Sequence, residues 1–429
     1  MNVALGLSLA ILFLAGVPIA VAIGLASVIG IEAQGRLPLL LVAQRMFTGI
    51  DSFPLMAIPL FILAGNLMAA GGISQRLVGL AKSIVGGIQG GLACTCVLTC
   101  MLFASVSGSS VATTFAIGAI LIPAMVAHGY PKPLAASIQA SSAELGVLIP
   151  PSIPLILYGV STDTSVGKLF IAGLGPGLLV AGSLMALVLV LCRVRGIGAN
   201  DGDGRESLGT AFLAALPALI VPFVILGGIY SGIFTPTEAS AVAVAAAIVV
   251  GMGLYRELRL KDLPAILTTT VISTSAIMII IAAAALFSFL ITRSGLPNEI
   301  AGWFRDMFES KLAFLLVVNL LLLVIGMFIE TSAAILVLAP ILTPIAVAYG
   351  VDPVHFGLIV VVNLALGMIT PPLGVNLFAA CQVADLPVEK IIPQLAWFVL
   401  AVFAALMVIT YVPAITLWPV ELMFGAATP

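Results

Sequence analysis

The sequence predicts an all-α polytopic membrane protein made of two inverted-topology repeats, and three observations carry that prediction. Of 429 residues, 62% are hydrophobic and 8% charged, against roughly 25% charged in a soluble domain, so a soluble globular chain is excluded. The apolar residues fall in long runs, Val3 to Ile31, Ala211 to Tyr230 and Leu263 to Ile291 among them, each near or beyond the roughly 20 residues that cross a bilayer as helix. The third observation is internal. Shifting the chain by 221 residues lays Pro123 on Pro344, Gly129 on Gly350, Leu145-Gly146 on Leu366-Gly367 and Pro150-Pro151 on Pro371-Pro372 without a gap. Pro and Gly break helices, so their recurrence in register marks repeated breaks, as in transporters built from inverted repeats.

The first repeat covers residues 1–195. No cationic stretch precedes its apolar N-terminus, which stays apolar past Pro18, so it reads as membrane helix and not as a cleaved signal. Apolar segments at 3–16, 18–34 and 52–71 come first; residues 3–34 fit either two short spans or one long kinked helix. An amphipathic connector, Gly72 to Gly90, leads to a hairpin over about 90–128. Its arms, Leu92 to Phe103 and Val111 to Ala127, are short for full spans and flank the run Ala104-Ser-Val-Ser-Gly-Ser-Ser110, so a re-entrant hairpin is expected. A helix over about 134–160, broken at Ile149-Pro-Pro-Ser152, and one ordinary span complete the repeat. The charged, Gly-rich stretch 196–209 is a solvated loop.

The second repeat, 210–429, runs the same way. It has segments at 210–232, 236–256 and 263–291, a connector from Gly295 to Lys311, and a hairpin over about 311–349 interrupted at Glu330-Thr331-Ser332. A helix over about 353–381, broken at Thr370-Pro-Pro-Leu373, and a last span follow. Ten spans and two hairpins result. Five spans per repeat, an odd number, force opposite orientations on the two halves. Placing 193–209 in the cytoplasm puts ten basic residues inside, Arg76, Lys132, Arg193 and Arg205 among them, and six outside, in the direction of the positive-inside bias. Both termini are then periplasmic.

Breaks inside a bilayer expose backbone groups that each cost several kcal/mol unless bonded. Four breaks in two symmetric pairs imply a polar site near the midplane, where hairpin tips meet broken helices. Helices restarting at about Ser109 and Thr331 suit a carboxylate. Helices stopping at about Gly146 to Ile149 and Gly367 to Thr370 leave carbonyls for a cation such as Na⁺. Ser105, Ser107, Ser109 and Ser110 offer hydroxyls, and Gly108 allows the turn. Close helix packing is the plainer reading of such a cluster, but Thr331 falls on Ser110 under the same shift. Each doubled proline removes two consecutive donors. Glu330, an acid in an apolar stretch, is a functional candidate that could attract Na⁺ or accept hydrogen bonds from substrate hydroxyls, with a protonated packing role as the alternative. Glu144 is a possible proton or cation group, although its counterpart Ala365 shows that a symmetric site does not require it. Glu238, in Thr235-Pro-Thr-Glu238, reads as a helix N-terminal acid, and His128 and His355 as interfacial.

Several function classes are disfavoured. The net charge is -2 and no basic patch is dense enough for nucleic acid. Cys94, Cys96, Cys100, Cys192 and Cys381 lie in or beside apolar spans without the partners of a zinc site, so no resident cofactor is expected. A phosphate-binding Gly-x4-Gly-Lys-Ser/Thr loop is absent, so the chain is no ATP-driven pump. An intramembrane serine protease needs a general base beside its nucleophile, and neither His lies deep in a span, so the chain is read as no enzyme. A purely structural scaffold leaves the paired breaks unexplained.

Gly232-Ile-Phe-Thr-Pro-Thr-Glu-Ala239, Gly326-Met-Phe-Ile-Glu-Thr331 with Pro340 downstream, and Gly367-Met-Ile-Thr-Pro-Pro-Leu-Gly374 are the most specific motifs, joined by Ser107-Gly-Ser-Ser110 and Leu145-Gly-Val-Leu-Ile-Pro-Pro-Ser152. Over essentially its whole length the chain resembles the large membrane (M) subunit of tripartite ATP-independent periplasmic (TRAP) transporters of the dicarboxylate and sialic-acid type. The resemblance implies an elevator-type, Na⁺-coupled importer of the ion-transporter superfamily in the bacterial inner membrane. It implies a separate small four-helix membrane subunit (Q type), a soluble periplasmic binding protein (P type) and an organic-acid substrate. By motif, one Na⁺ site would involve Ser107, Ser110, Gly146, Ile149 and Pro151, and its mate Thr331, Gly367, Thr370 and Pro372. Ser109 and Glu330 would face the substrate, with Gly108, Ser152 and Asn376 beside them. The nearest rival is a stand-alone Na⁺/dicarboxylate symporter of the same superfamily. Such carriers tend to show Ser-Asn-Thr at both hairpin tips, where this chain has Ser-Gly-Ser-Ser and Glu-Thr-Ser.

Overall fold

The computed structural model describes residues 2–35, 37–199, 206–308 and 310–425. The expected polar loop is therefore described only at its edges, and Arg205 lies outside the described residues. All regular structure among the described residues is helical.

α1 (Asn2–Leu14) and α2 (Ile19–Gln34) are two helices packed together, separated by Gly16 in the left-handed region (φ 73°) and by Pro18. That settles the open choice over 3–34 in favour of two. Their 13 and 16 residues reach only about 20 and 24 Å at 1.5 Å per residue, short of the ~30 Å hydrocarbon core. α3 (Leu40–Ile50) is a short helix that sequence reading missed; none of its residues is buried, and its Arg45 guanidinium lies 3.8 Å from the Phe289 ring centroid. A single turn at Phe53–Met56 runs into α4 (Ala57–Ala70), and the amphipathic connector is α5 (Ile73–Val85).

The first hairpin is α6 (Gly91–Ser107) and α7 (Ser110–Ala127). α8 (Lys132–Ala143) and the short α9 (Leu145–Leu148) form the near half of the broken helix, α10 (Ile153–Ser161) the far half, bent by 43°. α11 (Val166–Arg195) closes the half.

α12 (Leu208–Tyr230) and α13 (Pro236–Ile248) open the second half, and α13 widens into a looser turn at 249–254. Glu238 does cap α13: Thr235 Oγ1 accepts the Glu238 N–H at 3.2 Å, and the Glu238 carboxylate accepts the Thr235 N–H at 2.8 Å. α14 (Leu263–Ser294) and the connector α15 (Leu296–Met307) lead to the second hairpin, α16 (Lys311–Gly326) and α17 (Thr331–Ala348). Then come α18 (Pro353–Met368), α19 (Val375–Ala384), α20 (Val388–Tyr411) and the unforeseen α21 (Ala414–Phe424).

Among the described residues, eight helical stretches are long and apolar enough to cross a membrane, nine with the bent pair taken as one span. Two of the eight are the hairpin arms α7 and α17, expected to be short for full spans; of the ten expected spans six qualify and the bent pair makes a seventh, while α1, α2 and the pair α18 and α19 are individually short. α2, α3 and α14 pack together, and α4 packs on α13. The hairpins and broken helices interlock: α7 lies against α19, and α10 lies against α17. Every residue of α18 from Val354 to Met368 is buried, as expected of a helix apolar all round.

A cavity between two hairpin tips

At the first tip the chain leaves α6 at Ser107, turns through Gly108 (φ 60°) and restarts at Ser110, with Ser109 extended as the cap of α7. Ser109 Oγ accepts the Ala112 N–H at 3.4 Å. Ser107 Oγ lies 2.9 Å from Thr113 Oγ1, which donates to the Ser109 carbonyl at 2.8 Å. Gly146 is pressed onto this knot: a Cβ there would sit 2.7 Å from the Ser109 carbonyl oxygen and 2.9 Å from Thr113 Oγ1. The Gly108 carbonyl accepts the Ile153 N–H at 3.3 Å, and a Cβ on Gly108 would lie 2.8 Å from the Pro151 carbonyl oxygen. Tip and break are thus joined by backbone.

The second tip repeats the plan with different side chains. Glu330 caps α17: its carboxylate accepts the Ser332 and Ala333 N–H groups at 2.9 and 3.3 Å and the Ser332 hydroxyl at 2.9 Å. The Met327 carbonyl accepts the Leu373 and Gly374 N–H groups at 3.3 and 3.4 Å. Gly374 falls on Ile153 under the 221-residue shift, so both tips hold the same position of the opposing break. Gly326 and Gly367 meet face to face; a Cβ on Gly326 would lie 3.1 Å from the Gly367 Cα. Pro150-Pro151 and Pro371-Pro372 are both cis.

Between the tips lies a cavity of about 190 Å³ lined by Gly108, Ser109, Ser110, Glu330, Ser332 and Met368, with Ile277 of α14 on its far wall. Met368 sits between the tips: Thr331 Oγ1 donates to its sulfur at 2.8 Å and Ser110 Oγ approaches it at 4.0 Å. The structure thus gathers Gly108, Ser109 and Glu330, three of the residues expected to face substrate.

It places the other two elsewhere. Ser152 is buried, donates to the Val147 carbonyl and accepts the Leu155 N–H at 3.3 Å, so it caps α10 and does not line the cavity. Asn376 is also buried, with its amide nitrogen donating to Glu144 at 2.7 Å and to the Ala140 carbonyl at 3.3 Å, and its oxygen accepting the Thr114 hydroxyl. Its hydrogen-bonding groups are occupied inside the helix packing. Of the residues expected at the first Na⁺ site, Ser107, Ser110, Gly146 and Pro151 lie around tip one, whereas the Ile149 side chain packs on Gly177, so only its backbone could serve. Of the second, Thr331 and Gly367 lie at tip two, the Thr370 hydroxyl donates to the Leu366 carbonyl at 2.7 Å, and Pro372 forms the cis bond beside it. Ser332, Met368 and Ile277 were missed. Met368 and Ile277 read as ordinary apolar residues; the shift that pairs Thr331 with Ser110 was the available pointer to Ser332, its neighbour.

Comparison with known proteins decides the family. The description "Tripartite ATP-independent periplasmic transporter, DctM component" matches residues 7–415. The chain belongs to the DctM family. It is thus the large permease of a bacterial TRAP transporter, a multi-pass membrane protein and not an enzyme. This DctM chain is 44% identical over 413 residues to the isethionate TRAP transporter permease protein DctMQ of Oleidesulfovibrio alaskensis, covering 95% of its own length and 65% of that relative's. It is 40% identical to the C4-dicarboxylate large permease DctM of Rhodobacter capsulatus (95% of this chain, 96% of the relative) and 38% identical to the sialic acid large permease SiaM of Vibrio cholerae (89% and 90%). In fold it is similar to the Alcanivorax borkumensis YdaH transporter, with a TM-score of 0.65, 16% identity, and coverage of 89% of this chain and 88% of that one.

Proposed function

We propose that this DctM chain carries an organic acid of the sialic-acid or C4-dicarboxylate type into the bacterial cell, driven by Na⁺ and working by an elevator motion of the interlocked hairpins and broken helices. The observation that carries the reading is the cavity between two helix N-termini whose caps differ in charge. Ser109 leaves the positive end of α7 open to a carboxylate. Glu330 already accepts two N–H groups and one hydroxyl of α17, so its remaining lone pair suits a hydroxyl donor on the substrate. The site therefore favours a hydroxylated acid over one that brings a second carboxylate to Glu330.

Na⁺ enters as cargo. Ser107, Ser110, Gly146, Ile149 and Pro151 are the proposed ligands at tip one, and Thr331, Gly367, Thr370 and Pro372 at tip two. Na⁺ bound there would screen Glu330 and hold the tips in the geometry the acid needs. The TRAP architecture supplies a small four-helix Q-type subunit and a P-type periplasmic binding protein. The isethionate relative's name, DctMQ, and its greater length accord with a second component beside the M part.

Uptake into proteoliposomes containing this chain and its small partner tests the reading, with Na⁺ and binding protein varied independently. Uptake that requires both supports it. Uptake independent of the binding protein would favour the stand-alone Na⁺/dicarboxylate symporter, and uptake indifferent to Na⁺ would remove the coupling ion.

A further inference from the structure

The first turn of α19 meets both hairpin tips and both breaks. Gly374, which opens the helix in the left-handed region (φ 53°), gives its N–H to the Met327 carbonyl of tip two at 3.4 Å. A Cβ on it would lie 3.1 and 3.2 Å from the Met368 and Thr370 carbonyl oxygens, so it is seated on the second break. Two residues on, Asn376 crosses to the first half of the chain. Its nitrogen faces two acceptors, a Glu144 carboxylate oxygen at 2.7 Å and the Ala140 carbonyl at 3.3 Å, which orients the amide and turns its oxygen to the Thr114 hydroxyl. Glu144 stands two residues before Gly146, the residue pressed onto the Ser109 carbonyl, and Thr114 stands one turn after Ser110. One side chain thus joins tip one and break one to the helix that holds tip two and break two.

The connection is single. Under the 221-residue shift Asn376 falls on Leu155, Thr114 on Ile335 and Glu144 on Ala365, so the symmetry of the backbone does not supply it. All three polar residues are buried, and the Glu144 carboxyl has Asn376 as its one hydrogen-bond partner among the described residues, its second oxygen having none. Burying such groups is costly, and the apolar counterparts pack the other half without that cost. Thr114 gives the chain two states. Its hydroxyl has one proton and two acceptors in reach, the Ser110 carbonyl at 3.0 Å and Asn376 Oδ1. Given to Ser110, the proton makes the ordinary back-bond of a helical threonine; given to Asn376, it ties α7 to α19. A cation seated at Ser110 repels a proton aimed at the same residue and turns it to Asn376. Occupancy of tip one then fixes the first turn of α19, and with it the Gly374 contact to tip two.

We propose that Asn376 and Thr114 couple the two cation sites, so that filling either one raises the affinity of the other. The inference rests on the Na⁺ reading above. Such coupling is reciprocal, and both are positioning residues that touch neither ion nor substrate.

The test is equilibrium binding of radioactive Na⁺ to the purified full chain with its small partner, beside the Na⁺ dependence of uptake. The unsubstituted chain should bind with a Hill coefficient of about 1.5 or more, as a coupling of about tenfold between two sites gives. Thr114→Val keeps the shape and removes the hydroxyl; its Hill coefficient should fall to about 1, with uptake at saturating Na⁺ within about twofold of the original, and Thr114→Ser should restore the cooperativity. Asn376→Leu alone would leave Glu144 buried without a partner. It is therefore combined with Glu144→Ala, the pair the other half carries, and the double variant should also bind without cooperativity. A Hill coefficient of about 1 in the unsubstituted chain overturns the proposal, as does a Thr114→Val chain that keeps its cooperativity or a Thr114→Ser chain that fails to recover it. Binding needs no transport. Cooperative binding in a chain that imports no organic acid defeats the transport reading and leaves the coupling standing, non-cooperative binding beside Na⁺-driven uptake defeats the coupling alone, and a chain that binds no Na⁺ defeats both.

Discussion

The two hairpin tips share a backbone plan and differ in what caps them. Tip one turns through Gly108 and ends in a neutral hydroxyl, Ser109; tip two ends in a carboxylate, Glu330, that takes two N–H groups of its own helix. One helix N-terminus therefore carries a neutral cap and no counter-charge, and its counterpart is capped by a carboxylate. A symmetric pair would bind two like groups. This pair presents unlike ends, and the repeat has kept its backbone plan while its charge has diverged.

Making the tips alike should break the function most severely. Ser109→Asp would fill the α7 terminus with a fixed charge about 4 Å from the incoming carboxylate, a repulsion of about 4 kcal/mol at an effective dielectric of 20. Uptake should fall at least about 10²-fold, measured as initial rate in proteoliposomes, with the protein still inserted because Asp caps a helix as well as Ser does. A rate within a few-fold of the original would sink the assignment of the carboxylate to tip one. Glu330→Gln sharpens the same contrast. Removing one charge-assisted hydrogen bond should weaken uptake of a hydroxylated acid by about tenfold and should spare or improve that of an unhydroxylated dicarboxylate. Equal losses for both substrates would mean that Glu330 does not read hydroxyls.

A third pair of variants compares the tips as cation sites. Ser110→Ala and Thr331→Ala each remove one hydroxyl, worth about 1 kcal/mol. Each should raise the Na⁺ concentration for half-maximal uptake about fivefold; an unchanged Na⁺ curve in both would remove these hydroxyls from the ion sites. The smallest effect concerns the far halves of the broken helices. α10 has a side-chain cap in Ser152, whereas α19 starts at Gly374 without one. Ser152→Ala should cost about 1 kcal/mol of stability, seen as a lower melting temperature in detergent, with substrate affinity little changed. A large loss of affinity at unchanged stability would return Ser152 to the substrate site.

The sequence made the interruptions legible because they are chemically loud. Ser-Gly-Ser-Ser in an apolar run, a lone Glu330, and doubled prolines recurring 221 residues apart have few explanations inside a bilayer. What it could not show depends on where side chains turn after packing. Met368 and Ile277 are apolar residues among many, and only the meeting of α14 and α18 with both tips brings them to the cavity. Ser152 and Asn376 are polar residues close in sequence to the breaks, yet their hydrogen bonds close on the protein itself, one capping α10 and the other holding Glu144. α3 escaped because the eleven residues Leu40–Ile50 carry too short a pattern to distinguish a surface helix from a loop.

The crossed packing of α7 on α19 and α10 on α17 bears on ancestry. Each half of the chain lends its returning hairpin arm to the other half's broken helix, so a half expressed alone would expose both of those surfaces. If the chain arose by duplication, the single-length forerunner would have needed a second copy in the opposite orientation to complete its fold. Fusion of two such copies would have made permanent a partnership that the smaller protein had to find by collision.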